Sequence, residues 1–220
     1  MASSNCQDPV ATKEHCRYAL ETIWAATEEN EGGKSKCQCP FENAPQPSFP
    51  TNIETPFFVT LKKGSPRSKS KDEADLPLRG CIGTTSPAPH KDIGEYALKS
   101  AFHDRRFDPL SSEELPDIVC SVSLLVNYEE AKNWCDWTVG THGIIIDFDT
   151  SGRNYHAIYL PEVASEQGWD QREAVGQLVR KAGYKGKINS ELLDAIKLTR
   201  FQSTKAHMSF SELYQLYQLN

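Results

Sequence analysis

Two spacings of hydrophobic residues alternate along the chain, and each predicts a different secondary structure. Apolar residues at every second position, which lie on one face of a strand, recur in six stretches. In the clearest of them, 118–127, one face is entirely apolar, with Cys120 as a small buried residue. The predicted strands are 56–62, 78–84, 118–127, 143–149, 154–160 and 195–205.

Spacings of three and four residues predict helices between these strands. The first helix is expected to open at Asp8–Pro9, an N-cap followed by a first-turn proline, and to pack Cys16 and Trp24 inward. A second helix should end near Phe102. Polar pairs that can cap a helix start predict the remaining helices and turns: Ser111 with Glu114, Asp170 with Glu173, Asn189 with Ser190, and Ser209 with Glu212.

The mixed order of about six strands and four to five helices predicts an α+β protein with a mainly antiparallel sheet. Pro87 and Pro89 are expected to turn the chain after the second strand. We interpret the chain as one domain over residues 1–220, with loops at 28–52 and 62–76. The second loop is basic, typical of a localisation signal or a phosphate-binding arm, but the acidic residues that follow favour a solvated hairpin loop.

The composition of the chain limits its expected cellular location and the classes of partner that it could bind. The net charge of -6 argues against general binding to nucleic acid or to an anionic membrane surface. No apolar run approaches the roughly 20 residues of a membrane span, and residues 1–9 lack a secretory signal, which predicts an intracellular protein. The seven cysteines are interpreted as reduced thiols. Cys37 and Cys39 lack the spacing of common zinc sites, so no metal site is assigned and any cofactor is unidentified.

The stretch 78–84, Leu-Arg-Gly-Cys-Ile-Gly-Thr, is the strongest candidate for a functional site. Strand alternation puts Arg79 and Cys81 on one face, and a nearby guanidinium lowers the pKa of a thiol. Gly80 and Gly83 suggest the wall of a cleft, because glycine weakens a strand unless something approaches its backbone closely. Cys81 is therefore either a reactive thiolate or a buried structural thiol.

Two further residues could transfer protons for Cys81. His142 lies in a loop between Gly140 and Gly143, a setting in which histidine is often free to titrate near neutral pH. Glu162 could act as a base, orient a substrate or cap a helix. Motifs of nucleotide hydrolases, dinucleotide-binding enzymes, serine hydrolases and zinc proteases are absent. The predicted catalytic set is therefore Cys81, His142 and Glu162.

Charged residues elsewhere are candidates for binding a substrate. Asp104, Arg105 and Arg106 follow the second helix and either line the same cleft or form an ion pair at a solvated helix end. Arg200 would be costly to bury unpaired, so it could partner Glu162 or an anionic ligand. The predicted substrate-binding residues are Arg79, Asp104, Arg106 and Arg200.

These motifs together resemble the AMMECR family, named after the Alport syndrome, midface hypoplasia and elliptocytosis chromosomal region. The stretch 78–84 is similar to the signature of that family, although Thr85 follows it where an aromatic residue is expected. The resemblance covers roughly Pro9 to the C-terminus. Further similar stretches are 95–97, 100–102, 104–107, 113–116, 140–144, 159–164, 167–170, 180–184 and 197–200.

The resemblance implies an α+β fold of two unequal subdomains with a cleft, and it places the signature strand in or near that cleft. It also implies a cytoplasmic and nuclear location, and it makes the loops 28–52 and 62–76 additions to the family's common core. An enzymatic role is suspected for the family from its signature, but the resemblance implies no established reaction.

Two functions follow as hypotheses. The first, slightly preferred, is an enzyme in which Arg79 activates the Cys81 thiolate and His142 or Glu162 handles protons. The alternative is a non-catalytic binding or scaffold protein that uses arginines to recognise a small anion, a peptide or a protein partner. The partner is unidentified under both hypotheses, and the acidic net charge disfavours nucleic acid.

Overall fold

The computed structural model describes residues 8–30, 39–40, 44–64, 76–150 and 152–218. Within those residues the helices and strands follow the order predicted from the sequence, and the α+β class is confirmed. Their bounds are α1 Lys13–Asn30, β1 Glu54–Lys63, β2 Leu78–Pro89, α2 Ile93–Phe102, β3 Ile118–Glu130, β4 Gly143–Thr150, β5 Arg153–Tyr159, α3 Pro161–Glu166, α4 Gln171–Lys181, α5 Ser190–Ala195, β6 Lys197–Ser209 and α6 Phe210–Gln218, with 3₁₀ helices at His90–Asp92 and Ser112–Asp117.

The six strands form one sheet in the order β2-β1-β3-β6-β4-β5. β1 pairs antiparallel with β2 and β3, and β4 pairs antiparallel with β5 and β6, which confirms the mainly antiparallel sheet. β2 carries the 78–84 stretch and lies at one edge of this sheet. The outward-facing backbone groups of an edge strand have no neighbouring strand, so they need other partners.

β2 runs through Pro87 and ends at Pro89, so the prediction that the chain turns at Pro87 was wrong. An edge strand tolerates proline because its open side needs no N–H donor for a neighbouring strand. The register between β1 and β2 shifts between Thr84 and Ala88, a span that contains Pro87. Here the Thr84 hydroxyl accepts from the Ser86 N–H at 3.0 Å and donates to the Ser86 carbonyl at 2.9 Å. This irregular stretch of the edge strand is a poor template for pairing with a strand of another chain.

The first helix begins at Lys13, later than the predicted start at Asp8–Pro9. The Thr12 N–H donates to Nδ1 of His15 at 3.1 Å. His15 thus occupies the position that glutamate or glutamine has in a capping box. A buried histidine took the capping role, and the pattern of known capping residues gave no signal for it.

The predicted loops are only partly described. α1 continues to Asn30, so the loop predicted at 28–52 begins after it, and residues 31–38 and 41–43 lie outside the described part. Most of the basic loop, 65–75, also lies outside it. That these loops are additions to the family's common core, within one domain over 1–220, stays a prediction.

The chain divides into two compact units, each with its own hydrophobic core. Unit 1 comprises Met1–Leu124 and Thr204–Asn220. In its core Trp24 of α1 packs edge-on against Phe210 of α6, with ring centroids 4.9 Å apart. Unit 2 comprises Leu125–Ser203, and its core joins β4 and β5 to α4 and α5. The two unequal subdomains are therefore present, and the predicted cleft stays a prediction.

None of the helices in the described part of the chain combines the length and the apolar character that crossing a membrane requires.

Candidate functional site

Arg79 on β2 binds a carboxylate that lies far along the chain. Its Nε and Nη2 atoms donate to the two carboxylate oxygens of Glu114, each at 2.9 Å. Nη2 also donates to the Asp108 carbonyl at 2.9 Å, and Lys63 donates to Glu114 at 2.8 Å. Arg79 is only 9% exposed, so this forked pair fixes the 3₁₀ helix Ser112–Asp117 against β2.

Glu114 completes the capping box predicted at Ser111. Its carboxylate accepts from the Ser111 N–H at 3.2 Å. Hydrogen bonds from Arg79, and then from Lys63 and Ser111, lower the pKa of Glu114 to about 2. The carboxylate therefore stays ionised near neutral pH, and its pair with Arg79 persists there.

Cys81 is held by its backbone on the open edge of β2. Its N–H donates to Oδ2 of Asp104 at 2.9 Å, and its carbonyl accepts from Nη2 of Arg106 at 3.1 Å. These two side chains take the place that a neighbouring strand would have. The thiol lies 3.3 Å from the hydroxyl oxygen of Thr60, the residue opposite it on β1. The sequence predicted Arg79 beside this thiol, whereas the guanidinium that binds at Cys81 is that of Arg106.

Asp104 and Arg106 form a close ion pair. Nε and Nη2 of Arg106 donate to the two carboxylate oxygens of Asp104 at 2.9 and 2.6 Å. The Asp104 side chain is 5% exposed and the Arg106 side chain 55%. Hydrogen bonds from Arg106, and then from the Cys81 N–H, lower the pKa of Asp104 to about 2, and the same pair raises the pKa of Arg106. The structure thus brings two of the predicted binding residues to the signature strand.

The signature glycines are explained by the packing of the chain on itself. A Cβ atom on Gly80 would lie 2.2 Å from the Ser100 carbonyl oxygen of α2, and one on Gly83 would lie 2.3 Å from the Phe57 carbonyl oxygen of β1. The Ser100 hydroxyl accepts from the Ile82 N–H and donates to the Val59 carbonyl, both at 2.9 Å. Close approach of α2 and β1 therefore requires glycine here without any ligand.

A pocket of about 530 Å³ opens in unit 1 beside β2. We call it the arginine pocket, because three arginines contribute to its wall. The guanidinium carbons of Arg79 and Arg106 lie 5.8 and 5.5 Å from the centroid of the Phe107 ring. The pocket is lined by Arg79, Arg105, Arg106, Phe107, Asp108, Pro109, Ser111 and Glu114.

The remaining predicted site residues lie in unit 2. His142 is half-buried, and its Nδ1 accepts from the Thr138 N–H at 3.0 Å. Glu162 is in the first turn of α3. Arg200 was expected to partner Glu162 or an anion, and its ion pairs are with Glu129 at 2.8 Å and Asp136 at 3.0 Å.

Cys81 belongs to unit 1, whereas His142 and Glu162 belong to unit 2. Their predicted catalytic combination stays a prediction. No group of three or more potential metal-ligating side chains occurs among the described residues, and Cys37, half of the cysteine pair considered above, lies outside them. The five described cysteines, at positions 16, 39, 81, 120 and 135, are reduced thiols.

Sequence and structure comparisons identify the family. A family model described as AMMECR1 matches residues 16–206. The chain belongs to the AMMECR1 family. An uncharacterized Arabidopsis thaliana protein is 45% identical to it over 178 residues, which cover 78% of each chain. An uncharacterized Schizosaccharomyces pombe protein is 36% identical over 201 residues, covering 91% of this chain and 94% of the relative.

A solved AMMECR1-like structure supports the fold. The crystal structure of an uncharacterized protein from Pyrococcus horikoshii is similar to this chain with a TM-score of 0.63 and 25% sequence identity. The match covers 88% of this chain and 91% of that one. The family resemblance inferred from the signature and the scattered motifs is therefore confirmed.

Sequence reasoning missed several residues of the arginine pocket. Glu114 was identified only as a helix cap, although it is also the partner of Arg79. Phe107 was seen only as part of a motif, and Asp108 and Pro109 were not singled out. The available signal was their position directly after Arg105 and Arg106, since residues of one short turn can line one pocket.

Proposed function

We propose that this AMMECR1-family protein binds a small molecule through a carboxylate group, and that the arginine pocket is the binding site. The observation that carries this proposal is the pocket itself, which lies beside the signature strand with three guanidinium groups in its wall. Arginine recognises carboxylates through paired N–H donors. The volume lies within the range of about 300–1,000 Å³ that is typical of small-molecule sites.

Two of the arginines keep N–H donors that no described residue accepts. Arg105 is exposed and makes no ion pair with any described residue. Nη1 of Arg79 is buried without a hydrogen-bond partner in the described part of the chain. Leaving such a donor unpaired costs about 1–3 kcal/mol, so a ligand oxygen that reached it would stabilise the site.

The test uses butyrate as a simple carboxylate probe. We expect saturable shifts in the NMR signals of the backbone amides of residues 105–108 when butyrate is added. Arg105→Gln should abolish these shifts, since it removes the unpaired guanidinium, whereas Cys81→Ser should keep them. Arg172→Gln, an exposed arginine on α4, is the matched control and should also keep them.

The absence of saturable shifts in the wild-type protein, or equal binding by Arg105→Gln, would reject this site. Arg79→Ala is a poorer test, because it removes the two hydrogen bonds that Arg79 donates to the Glu114 carboxylate. That change is expected to destabilise the protein by about 2–3 kcal/mol, and unfolding would be confused with lost binding.

The second candidate function is a thiol enzyme that uses Cys81. It is favoured by Arg106, whose pKa is raised in part by the charge of Cys81, after the larger effect of Asp104. The alkylation rate of Cys81, measured against pH by peptide mass spectrometry, separates the two functions. An ordinary thiol, with a pKa of about 8.5, would count against the enzyme.

A cytoplasmic and nuclear location is part of the proposal and rests on the family resemblance. Imaging of the tagged full-length chain tests it, and exclusion from both compartments would contradict it.

A further inference from the structure

The charges of the arginine pocket are almost fully paired inside the protein. Arg79 is paired with Glu114, and Arg106 is paired with Asp104. Each pair brings one positive and one negative charge, and Lys63, which does not line the pocket, adds one positive charge at Glu114. The unpaired charges that a ligand would meet in the pocket come from the other two charged residues in its wall.

These two residues are Arg105 and Asp108. Both side chains are exposed, and neither makes an ion pair with any described residue. The pocket therefore presents one unpaired cation and one unpaired anion. A simple anion would be attracted by Arg105 but repelled by Asp108, whereas a ligand with charges of both signs would be attracted by both.

Hydrogen bonds hold the backbone of the turn 105–108, which carries these two side chains. The Phe107 N–H donates to the Asp104 carbonyl at 3.0 Å, and the Asp108 carbonyl accepts from Arg79 at 2.9 Å. The two charged groups are thus presented from a turn that is already ordered, which lowers the entropic cost of binding. Phe107 and Pro109 add apolar surface to the same wall.

We infer that the ligand of the arginine pocket is a small zwitterion, a molecule with the charge pattern of a free amino acid or a dipeptide. Its carboxylate lies against Arg105, its ammonium group lies against Asp108, and its short apolar part contacts Phe107 and Pro109. This inference rests on the proposed function and adds Asp108 as a residue that determines specificity.

The test compares three kinds of probe with the same aliphatic body. These are ω-amino acids from glycine to 6-aminohexanoate, the alkanoates of matching length, and the matching alkylammonium ions. Binding is measured from the NMR signals of the amides of residues 105–108. The best ω-amino acid should bind about three- to fivefold more tightly than its alkanoate, the effect of one additional exposed ion pair.

Two variants separate this inference from the proposed function. Asp108→Asn should remove the advantage of the ω-amino acid and leave the alkanoate bound at least as tightly. Arg105→Gln should abolish binding of the alkanoate and weaken binding of the ω-amino acid. Asp194→Asn, an exposed acid on α5, is the control and should change neither.

If alkanoates bind at Arg105 as tightly as every ω-amino acid, or if Asp108→Asn leaves the ratio unchanged, the zwitterion inference is wrong and the carboxylate site stands. If neither alkanoates nor ω-amino acids shift the pocket signals, the proposed site fails and the inference falls with it.

Discussion

At the residue scale, two carboxylates beside β2 link the stability of the signature strand to pH. The pKa values of Asp104 and Glu114 are each lowered to about 2, mainly by hydrogen-bonded guanidinium groups. In the unfolded chain both carboxyl groups titrate at about pH 4. As the pH falls, the unfolded state therefore takes up protons before the folded state does. The stability that these pairs supply is present above about pH 5 and is lost towards about pH 2.

We therefore expect each carboxylate to contribute about 2–3 kcal/mol to the free energy of unfolding at pH 7, and to lose that contribution on acidification. Urea unfolding at a series of pH values measures the effect. Asp104→Asn should be less stable at pH 7 and should show a shallower decline below about pH 4. A variant with the wild-type pH dependence would contradict this role of Asp104.

A different pH dependence comes from His15. Burial, and then the charge of His90, lower the pKa of His15 from 6.5 to about 4. Between about pH 6.5 and pH 4, the unfolded state binds a proton at His15 more readily than the folded state does. The free energy of unfolding is therefore highest above about pH 6.5 and falls as the pH drops towards 4. Protonation of Nδ1 would also remove the acceptor that caps α1.

We expect this histidine to account for a loss of about 3 kcal/mol between pH 6.5 and 4. His15→Gln can keep an acceptor at the same capping position but does not titrate, so its unfolding free energy should be flatter in this range. Equilibrium urea unfolding at pH 7 and pH 4.5 measures the difference. The idea fails if both proteins lose equal stability.

At the element scale, the signature strand is specified by what packs on it. α2 approaches β2 so closely at Gly80 that any Cβ atom would meet the Ser100 carbonyl, which is part of the helix backbone. A backbone group cannot rotate away like a side chain, so the helix itself would have to move. This element-level requirement accounts for the glycine without a substrate.

Gly80→Ala is therefore expected to destabilise the protein by about 2–4 kcal/mol. The matched control is Gly176→Ala on α4, where nothing lies within 4 Å of the added Cβ atom. Alanine at this half-buried helix position, where the added Cβ atom meets open space, is expected to be neutral or to stabilise by about 0.5–1 kcal/mol. Chemical denaturation compares the two, and a Gly80→Ala protein as stable as the control would contradict the packing argument.

At the scale of the whole molecule, the boundary between the two units falls inside two strands. Unit 2 begins at Leu125 within β3 and ends at Ser203 within β6. A boundary inside a strand differs from a flexible linker, because unfolding one unit alone would have to stop in the middle of two hydrogen-bonded strands. We expect the two units to unfold together.

Leu178→Ala tests this expectation, since Leu178 is fully buried in the core of unit 2. The cavity should cost about 2–5 kcal/mol. The amide signals of α2 in unit 1 and of α4 in unit 2 should then disappear at the same, lowered urea concentration. Loss of the α4 signals while those of α2 persist would show that the units unfold separately.

The sequence by itself determined the elements and the family. Strand alternation located all six strands, and the capping pairs Asp170/Glu173 and Ser111/Glu114 form as predicted. These features depend on residues a few positions apart, whose geometry is set by the local backbone. That Asp104 and Arg106 could line the same cleft as the signature was also proposed, because they directly follow the second helix.

Only the tertiary structure decided which groups meet. Strand alternation predicted Arg79 and Cys81 on one face, but the guanidinium of Arg79 pairs with Glu114, which lies 35 residues away in the sequence. Whether the open edge of β2 would be bound by Asp104 and Arg106 depended on strand order and on the packing of α2. Such contacts between distant residues follow from register and close packing, which local spacing does not encode.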